Sequence, residues 1–172
     1  MEELSETGVG SGAWAKANEN ITGQWAQVET QYQRRFDLIP NLVNSVKGIM
    51  SQEKQVFGDL AEARTRYAGA TSTDAKVKAA NDVENSLGRL LVVMENYPQL
   101  RSSETVLTLM AQLEGTENRI SVERGRFNDV VRIFNTKIKG FPANVFARLY
   151  GFIEKVYFES QPGAEKVPGV NF

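Results

Sequence analysis

The spacing of the apolar residues constrains the fold of this chain more than any other feature. Three long stretches carry apolar residues at alternating three- and four-residue steps, and no segment alternates with a period of two over a useful length. Such stripes belong to amphipathic helices, which must pack on one another to bury their apolar faces. We therefore predict an all-α fold, an antiparallel bundle of three to four long helices with a short C-terminal helix.

The first stripe predicts one helix from about Trp14 to Tyr67, kinked near Pro40, because the spacing keeps its phase across the proline. Such a helix would be roughly 80 Å long at about 1.5 Å per residue. Alternatively, Asp37 is the N-cap of a separate helix that has Pro40 in its first turn. The stripe consists of Trp25, Val28, Tyr32, Ile39, Leu42, Val46, Ile49, Val56 and Leu60.

The other two stripes predict two further long helices, and a short one follows over residues 145–150. Asp74 is the expected N-cap of the second helix, which ends before Pro98, and Ser102 or Ser103 is the expected N-cap of the third. The second stripe consists of Val77, Ala80, Val83, Leu87, Leu90 and Met94, and the third of Val106, Met110, Leu113, Ile120, Phe127, Val131, Phe134 and Ile138.

A length of 172 residues suits a single domain. We expect residues 13–159 to form the bundle, residues 1–12 to be a flexible leader or a remnant left by expression, and residues 160–172 to be an extended tail.

Five glycines lie inside the predicted helices, where each costs about 1 kcal/mol relative to alanine. We expect close approach between helix backbones at these positions to offset that cost, so that Gly88→Leu would destabilise the fold. The five are Gly48, Gly58, Gly88, Gly115 and Gly125.

The chain contains no His and no Cys, and its net charge is −1. The lack of His removes the usual acid–base group at physiological pH, the base of common nucleophile arrangements and the usual zinc ligand. The lack of Cys removes disulfides and thiol chemistry. A nearly neutral chain has no general attraction to nucleic acid. We therefore expect no enzymatic activity, no cofactor, no metal site and no nucleic-acid partner.

Four charged residues interrupt the apolar stripes: Arg35, Glu53, Glu117 and Arg124. One interpretation is a polar ligand pocket inside the bundle. We favour a structural polar seam, in which buried ion pairs fix the register of the helices. The sequence does not define the pairs, and our hypothesis is that Arg35 pairs with Glu117.

The third long helix becomes basic toward its end, where Arg126, Arg132, Lys137 and Lys139 are candidate contacts for lipid headgroups or a partner. We favour the interpretation that these cations complement the C-terminal end of the helix and form a solvated face. The apolar, aromatic run over residues 145–158 either caps the end of the bundle, which we favour, or forms an exposed docking patch for a partner or a membrane surface.

Four stretches follow one another in a recognisable order along the chain. They are QRRFDLIPNLVNSVKG (residues 33–48), SLGRLLVVMENYPQL (86–100), QLEGTENRISVERGRFNDVVRIFNTKIKGFP (112–142) and YGFIEKVYFE (150–159). Each resembles a signature of the LemA family, and the likeness extends from about residue 25 to the C-terminus. Four ordered motifs make this resemblance far more specific than any single short motif would.

The resemblance implies a bacterial membrane protein in which an N-terminal transmembrane anchor precedes a helical bundle on the cytoplasmic side. It implies no catalytic residues, and the molecular function of the family is not established. The sequence has no run of the roughly 20 apolar residues that a spanning helix needs. Either the anchor has been trimmed away, which we favour, or this member of the family is soluble, and we expect the chain to be soluble as it stands.

Two functions from different classes remain. The first is a scaffold or interaction domain at the bacterial cell membrane, with unknown protein partners and an unknown oligomeric state. The second is a helical bundle that binds a lipid surface or a small ligand.

Overall fold

A computed structural model describes residues 11–158, which contain five α-helices and no strand. The predicted all-α bundle is confirmed. The expectations for residues 1–12 and 160–172 lie outside the described residues, apart from positions 11 and 12, which begin the first helix. The helices are α1 (Ser11–Val46), α2 (Lys54–Gly69), α3 (Thr73–Met94), α4 (Glu104–Lys139) and α5 (Ala143–Leu149), with a 3-10 helix over Pro98–Ser102 before α4.

The two longest helices, α1 and α4, pack against each other in antiparallel directions. Trp14 contacts Phe134 and Trp25 contacts Phe127, each with ring centroids 6.0 Å apart. The start of α1 therefore lies beside the end of α4, and the two helices run in opposite directions. Helices α2 and α3 form a hairpin that packs on this pair. The core follows the predicted stripes, and its fully buried side chains include Val28, Tyr32, Leu42, Val83, Leu87 and Phe127.

The first predicted helix is interrupted after Val46, and not near Pro40. Helix α1 continues through Pro40, so a continuous helix to Tyr67 and a break at Asp37 are both wrong. A proline inside a helix costs about 3 kcal/mol, and the buried side chains of Ile39 and Leu42 on either side offset that cost. The turn over residues 47–53 then lets α2 fold back.

The stripe also changes phase within that turn. Ile49, which the periodic pattern assigned to the core, is exposed, and the neighbouring Met50 is fully buried. The amide of Met50 donates to the carbonyl of Val46 at 2.9 Å, which ends α1 in a compact turn.

Two serines cap the helices that follow the turns. The Ser72 hydroxyl accepts from the amide of Ala75 at 3.2 Å, and the Ser103 hydroxyl accepts from the amide of Val106 at 3.4 Å. Ser103 was one of the two predicted caps. The prediction for Asp74 was wrong, because Asp74 lies in the first turn of α3.

None of the five glycines lies at a close approach between helices, and Gly48 lies in the turn after α1 and not within a helix. A Cβ atom at any of the five positions would meet no neighbouring side chain or helix within 4 Å. The expected close packing is therefore wrong, and the prediction that Gly88→Leu destabilises the fold loses its physical reason. These glycines lie on exposed surfaces of the bundle, where the sequence pattern cannot distinguish open space from close contact.

After α5 the chain runs back along α4, held by two asparagine side chains. The Asn135 amide donates to the carbonyl and accepts from the amide of Lys155, at 2.9 and 2.8 Å. Asn128 holds Phe158 in the same way, at 3.2 and 2.8 Å. These paired bonds place the Phe158 ring in the core beside Trp25.

Candidate functional site

The side chain of Arg35 joins three helices inside the bundle. Its Nε atom bonds Glu84 Oε1 of α3 at 2.9 Å, and its Nη2 atom bonds Glu117 Oε2 of α4 at 2.8 Å. The Nη1 atom donates to the carbonyl of Leu113 at 2.7 Å and to the Thr116 hydroxyl at 3.3 Å. Every nitrogen of the guanidinium therefore has a partner, and the predicted Arg35–Glu117 pair is present.

Glu84 is the member of this network that the sequence analysis missed. It lies four residues after Ala80 and three before Leu87, which is the spacing that defines the stripe. The neighbouring Val83 lies in the same helical turn, and the sequence analysis assigned Val83 to the apolar stripe instead of Glu84. A charged residue at seam spacing was thus an available signal.

Burial controls the electrostatics of the network. Desolvation raises the pKa of Glu84 above its ordinary range, although the Arg35 charge opposes that shift. Desolvation likewise raises the pKa of Tyr32, whose hydroxyl is buried with no hydrogen-bond partner among residues 11–158. The pKa of both groups also responds to the charge of Arg124.

The other two residues of the predicted seam have different surroundings. The Arg124 guanidinium lies 4.9 Å from the centroid of the Phe158 ring, a cation–π arrangement. Glu53 accepts a hydrogen bond from the Tyr97 hydroxyl at 2.8 Å, and this bond raises the pKa of Tyr97. The structure thus brings Arg35 and Glu117 into direct contact, places Arg124 within electrostatic range, and gives Glu53 a separate partner.

An open groove of about 750 Å³ lies over this network. Val56 of α2 and Val92 of α3 are among its apolar walls, and Gly88 contributes a stretch of bare backbone. The Arg35–Glu84–Glu117 network lines the same groove. The arrangement offers apolar surface to an incoming group, above a polar floor formed by Arg35 and its two carboxylate partners.

The candidate contacts on α4 are mostly paired with nearby carboxylates. Arg126 bonds Glu123 and Arg132 bonds Asp129, each at 2.9 Å and each three residues apart on the helix. Lys139 bonds Glu154 at 2.9 Å, and this bond raises the pKa of Lys139. Lys137 is exposed, and it makes no ion pair within the described part of the chain. The first two pairs fit the interpretation of a solvated face.

Helix α5 and the residues on either side of it combine the two features that the sequence left open, a cap on the end of the bundle and an exposed apolar patch. Ala147 and Phe158 are buried, so part of this segment caps the bundle. Phe141 is 86 % exposed and Leu149 is 75 % exposed, so another part faces outward. Trp14 packs against Phe152 with ring centroids 6.0 Å apart, which places this apolar surface at the end of the bundle where α1 begins.

Metal binding and membrane crossing each require a particular arrangement of side chains. No group of three or more Asp and Glu side chains between residues 11 and 158 is arranged to hold a metal ion. None of the helices in that range combines the length and the hydropathy that crossing a bilayer demands.

Comparison with known proteins identifies relatives over most of the chain. Two proteins called magnetosome protein MamQ, from Paramagnetospirillum magneticum and Magnetospirillum gryphiswaldense, are 25 % and 24 % identical over 86 % and 89 % of this chain. Protein LemA from Metamycoplasma hominis is 19 % identical over 77 % of it. The matches span 64 %, 66 % and 61 % of these relatives' own lengths. The sequence pattern of the LemA family matches residues 24–172, and the chain belongs to that family.

Proposed function

We propose that this protein is a non-enzymatic interaction module at a bacterial membrane, and that its groove binds an apolar helix of a partner protein. The observation that carries the proposal is the open groove of about 750 Å³ beside α3. The membrane location follows the expectation from the LemA family, to which the chain belongs.

The chemistry of the groove suits binding better than catalysis. Each of the three guanidinium nitrogens of Arg35 has a partner, so this side chain is held in place as a fixed polar surface at the floor. Buried charges with several partners of this kind serve register and rigidity more often than reaction chemistry.

The shape of the groove suits a helix. Val92 is exposed, and Gly88 has no side chain to hold an approaching backbone away. Amphipathic helices bind apolar grooves through residues at three- and four-residue spacing, and small positions permit the closest contact. A second candidate is a small apolar ligand, because the volume lies within the range of about 300–1,000 Å³ typical of ligand pockets.

Photo-cross-linking in cells of the native host tests the proposal. A photoreactive residue at Val92 should yield a protein adduct of defined mass, and one at Val122, which is exposed to a similar extent on α4, should not. Gly88→Leu should remove the adduct by filling the groove, without unfolding the bundle, since a Cβ there meets no neighbour. Capture of a small molecule at Val92 would favour the second candidate. Adducts at Val122 alone would contradict both.

A further inference from the structure

Exposed apolar side chains are concentrated in one short segment. Of the twelve large apolar side chains that stand exposed within residues 11–158, seven lie between residues 141 and 157. Isolated exposed apolar residues are ordinary on protein surfaces, but a cluster of this kind marks an interaction site. The seven are Phe141, Val145, Phe146, Leu149, Tyr150, Ile153 and Tyr157.

The exposed residues are not needed to close the core. Ala147 and Phe158 fill the interior, and Phe152 packs on Trp14 from a half-buried position. Val145 and Leu149 lie one helical turn apart, so they share one side of α5, and both are exposed. The segment thus has an inner side that completes the bundle and an outer apolar side that is exposed.

The same segment is also rich in basic residues. Residues 137–158 contain four cations, Lys137, Lys139, Arg148 and Lys155, and one carboxylate, Glu154, in a chain whose net charge is −1. Glu154 pairs with Lys139, and the other three cations make no ion pair with any residue between 11 and 158. Within the described residues this segment therefore combines unpaired positive charge with exposed apolar rings.

We propose that the α5 end of the bundle binds directly to an anionic lipid surface. Aromatic and aliphatic side chains would enter the boundary between headgroups and acyl chains, and the cations would contact lipid phosphates, as in interfacial helices. Lysine is depleted in protein–protein interfaces, so the composition favours lipid over a protein partner or a second copy. Helix α1, about 54 Å long at 1.5 Å per residue, would lead away from the membrane.

This inference rests on the proposed membrane location, but it does not depend on the groove. It assigns the bundle a lipid contact of its own. A failure here would leave the cross-linking result at Val92 unaffected.

Flotation with vesicles tests the proposal. The chain should float with vesicles of phosphatidylcholine and phosphatidylglycerol in equal parts, should float less as salt is added, and should not float with phosphatidylcholine alone. Arg148→Gln should weaken binding about fivefold, and Leu149→Ser about tenfold. The matched controls Arg101→Gln and Leu107→Ser change exposed residues at the opposite end of the bundle and should leave binding unchanged.

A single fluorescent label shows which surface makes contact. The chain has no Cys, so Ile153→Cys and Leu107→Cys each accept one environment-sensitive fluorophore. Anionic vesicles should shift the emission of the label at residue 153 to shorter wavelength and leave the label at residue 107 unchanged.

Three results would overturn the inference. They are absence of flotation with anionic vesicles, equal losses in the two control variants, and Leu149→Ser disrupting self-association in solution without changing flotation. The last would assign the apolar surface to a second copy of the chain.

Discussion

At the scale of single residues, Arg35 shows how a buried charge is accommodated in this bundle. Its two carboxylate partners differ in exposure, since the Glu84 side chain is 6 % exposed and the Glu117 side chain is 36 % exposed. Water screens the second pair more than the first. The two ion pairs should therefore contribute unequally to the free energy of unfolding.

Double-mutant cycles on the two pairs should reveal that inequality. Glu117→Gln should lower the free energy of unfolding by about 1 kcal/mol, because it removes a partly exposed partner of Arg35. In Glu84→Gln the lost attraction to Arg35 is opposed by the relieved cost of burying a carboxylate, so the double-mutant cycle and not the single variant measures this pair. With Arg35→Met as the common partner change, the coupling energy from urea unfolding should be larger for Glu84. Equal couplings, or a larger one for Glu117, would contradict this ranking.

The raised pKa of Glu84 makes stability depend on pH. Between the ordinary pKa of a glutamate, about 4.3, and the higher pKa in the fold, the native state binds more protons than the unfolded state. The contribution of Glu84 to stability is therefore present at low pH and is lost as the pH rises through its folded pKa.

The matched comparison is wild type against Glu84→Gln. The free energy of unfolding of wild type, relative to that of the variant, should increase as the pH falls from neutral through the folded pKa of Glu84. Urea unfolding at each pH measures both values. A difference that shrinks on acidification would mean that attraction to Arg35 outweighs burial.

At the scale of helices and turns, the apolar period predicted which surfaces are buried but not where the first helix ends. The stripe holds its phase across Pro40, and the helix does the same. The stripe carries no sign of the interruption after Val46, because Ile49 and Met50 are both apolar and only packing decides which is buried. Asn128 and Asn135 contact the segment that returns along α4, and such contacts do not affect the spacing of apolar residues in the helix. The apolar period therefore cannot predict them.

The candidate site was only partly predictable for the same reason. The interruption of the stripes identified Arg35 and Glu117, and the same spacing also fits Glu84, although Val83 was assigned to the stripe instead. Which of these charges pair depends on how three helices meet in space, and the sequence does not contain that information. The groove could not be predicted, because glycine spacing alone does not tell an open surface from a tight crossing.

The open space at Gly88 leads to a stabilising substitution. Gly88→Ala should raise the free energy of unfolding by about 1 kcal/mol, because alanine favours the helix and its Cβ meets no atom within 4 Å. Gly58→Ala on α2, in equally open surroundings, is the matched control and should behave alike. Thermal melts would decide, and a loss of stability confined to Gly88→Ala would mean that the groove closes in solution.

At the scale of the whole molecule, the returning segment after α5 connects the exposed apolar and basic residues near α5 to the core. It carries the exposed Ile153 and Tyr157 on one side and the buried Phe158 on the other. The ring of Phe158 packs against Trp25 of α1 and Phe127 of α4, at centroid distances of 5.8 and 5.3 Å. The segment that displays the proposed lipid contact is thus fixed by the same aromatic core that holds α1 and α4 together.

Two neighbouring residues separate these roles. Phe158→Ala should lower the free energy of unfolding by about 3–5 kcal/mol, the usual cost of removing a buried phenylalanine, because Phe158 is only 4 % exposed. Tyr157→Ala, at a position that is 42 % exposed, should change stability by less than about 0.5 kcal/mol while weakening flotation with anionic vesicles. Urea unfolding and flotation of both variants would measure this division. If Phe158→Ala left stability unchanged, the segment after α5 would not be part of the core in solution, and its exposed side would have no fixed orientation toward a membrane.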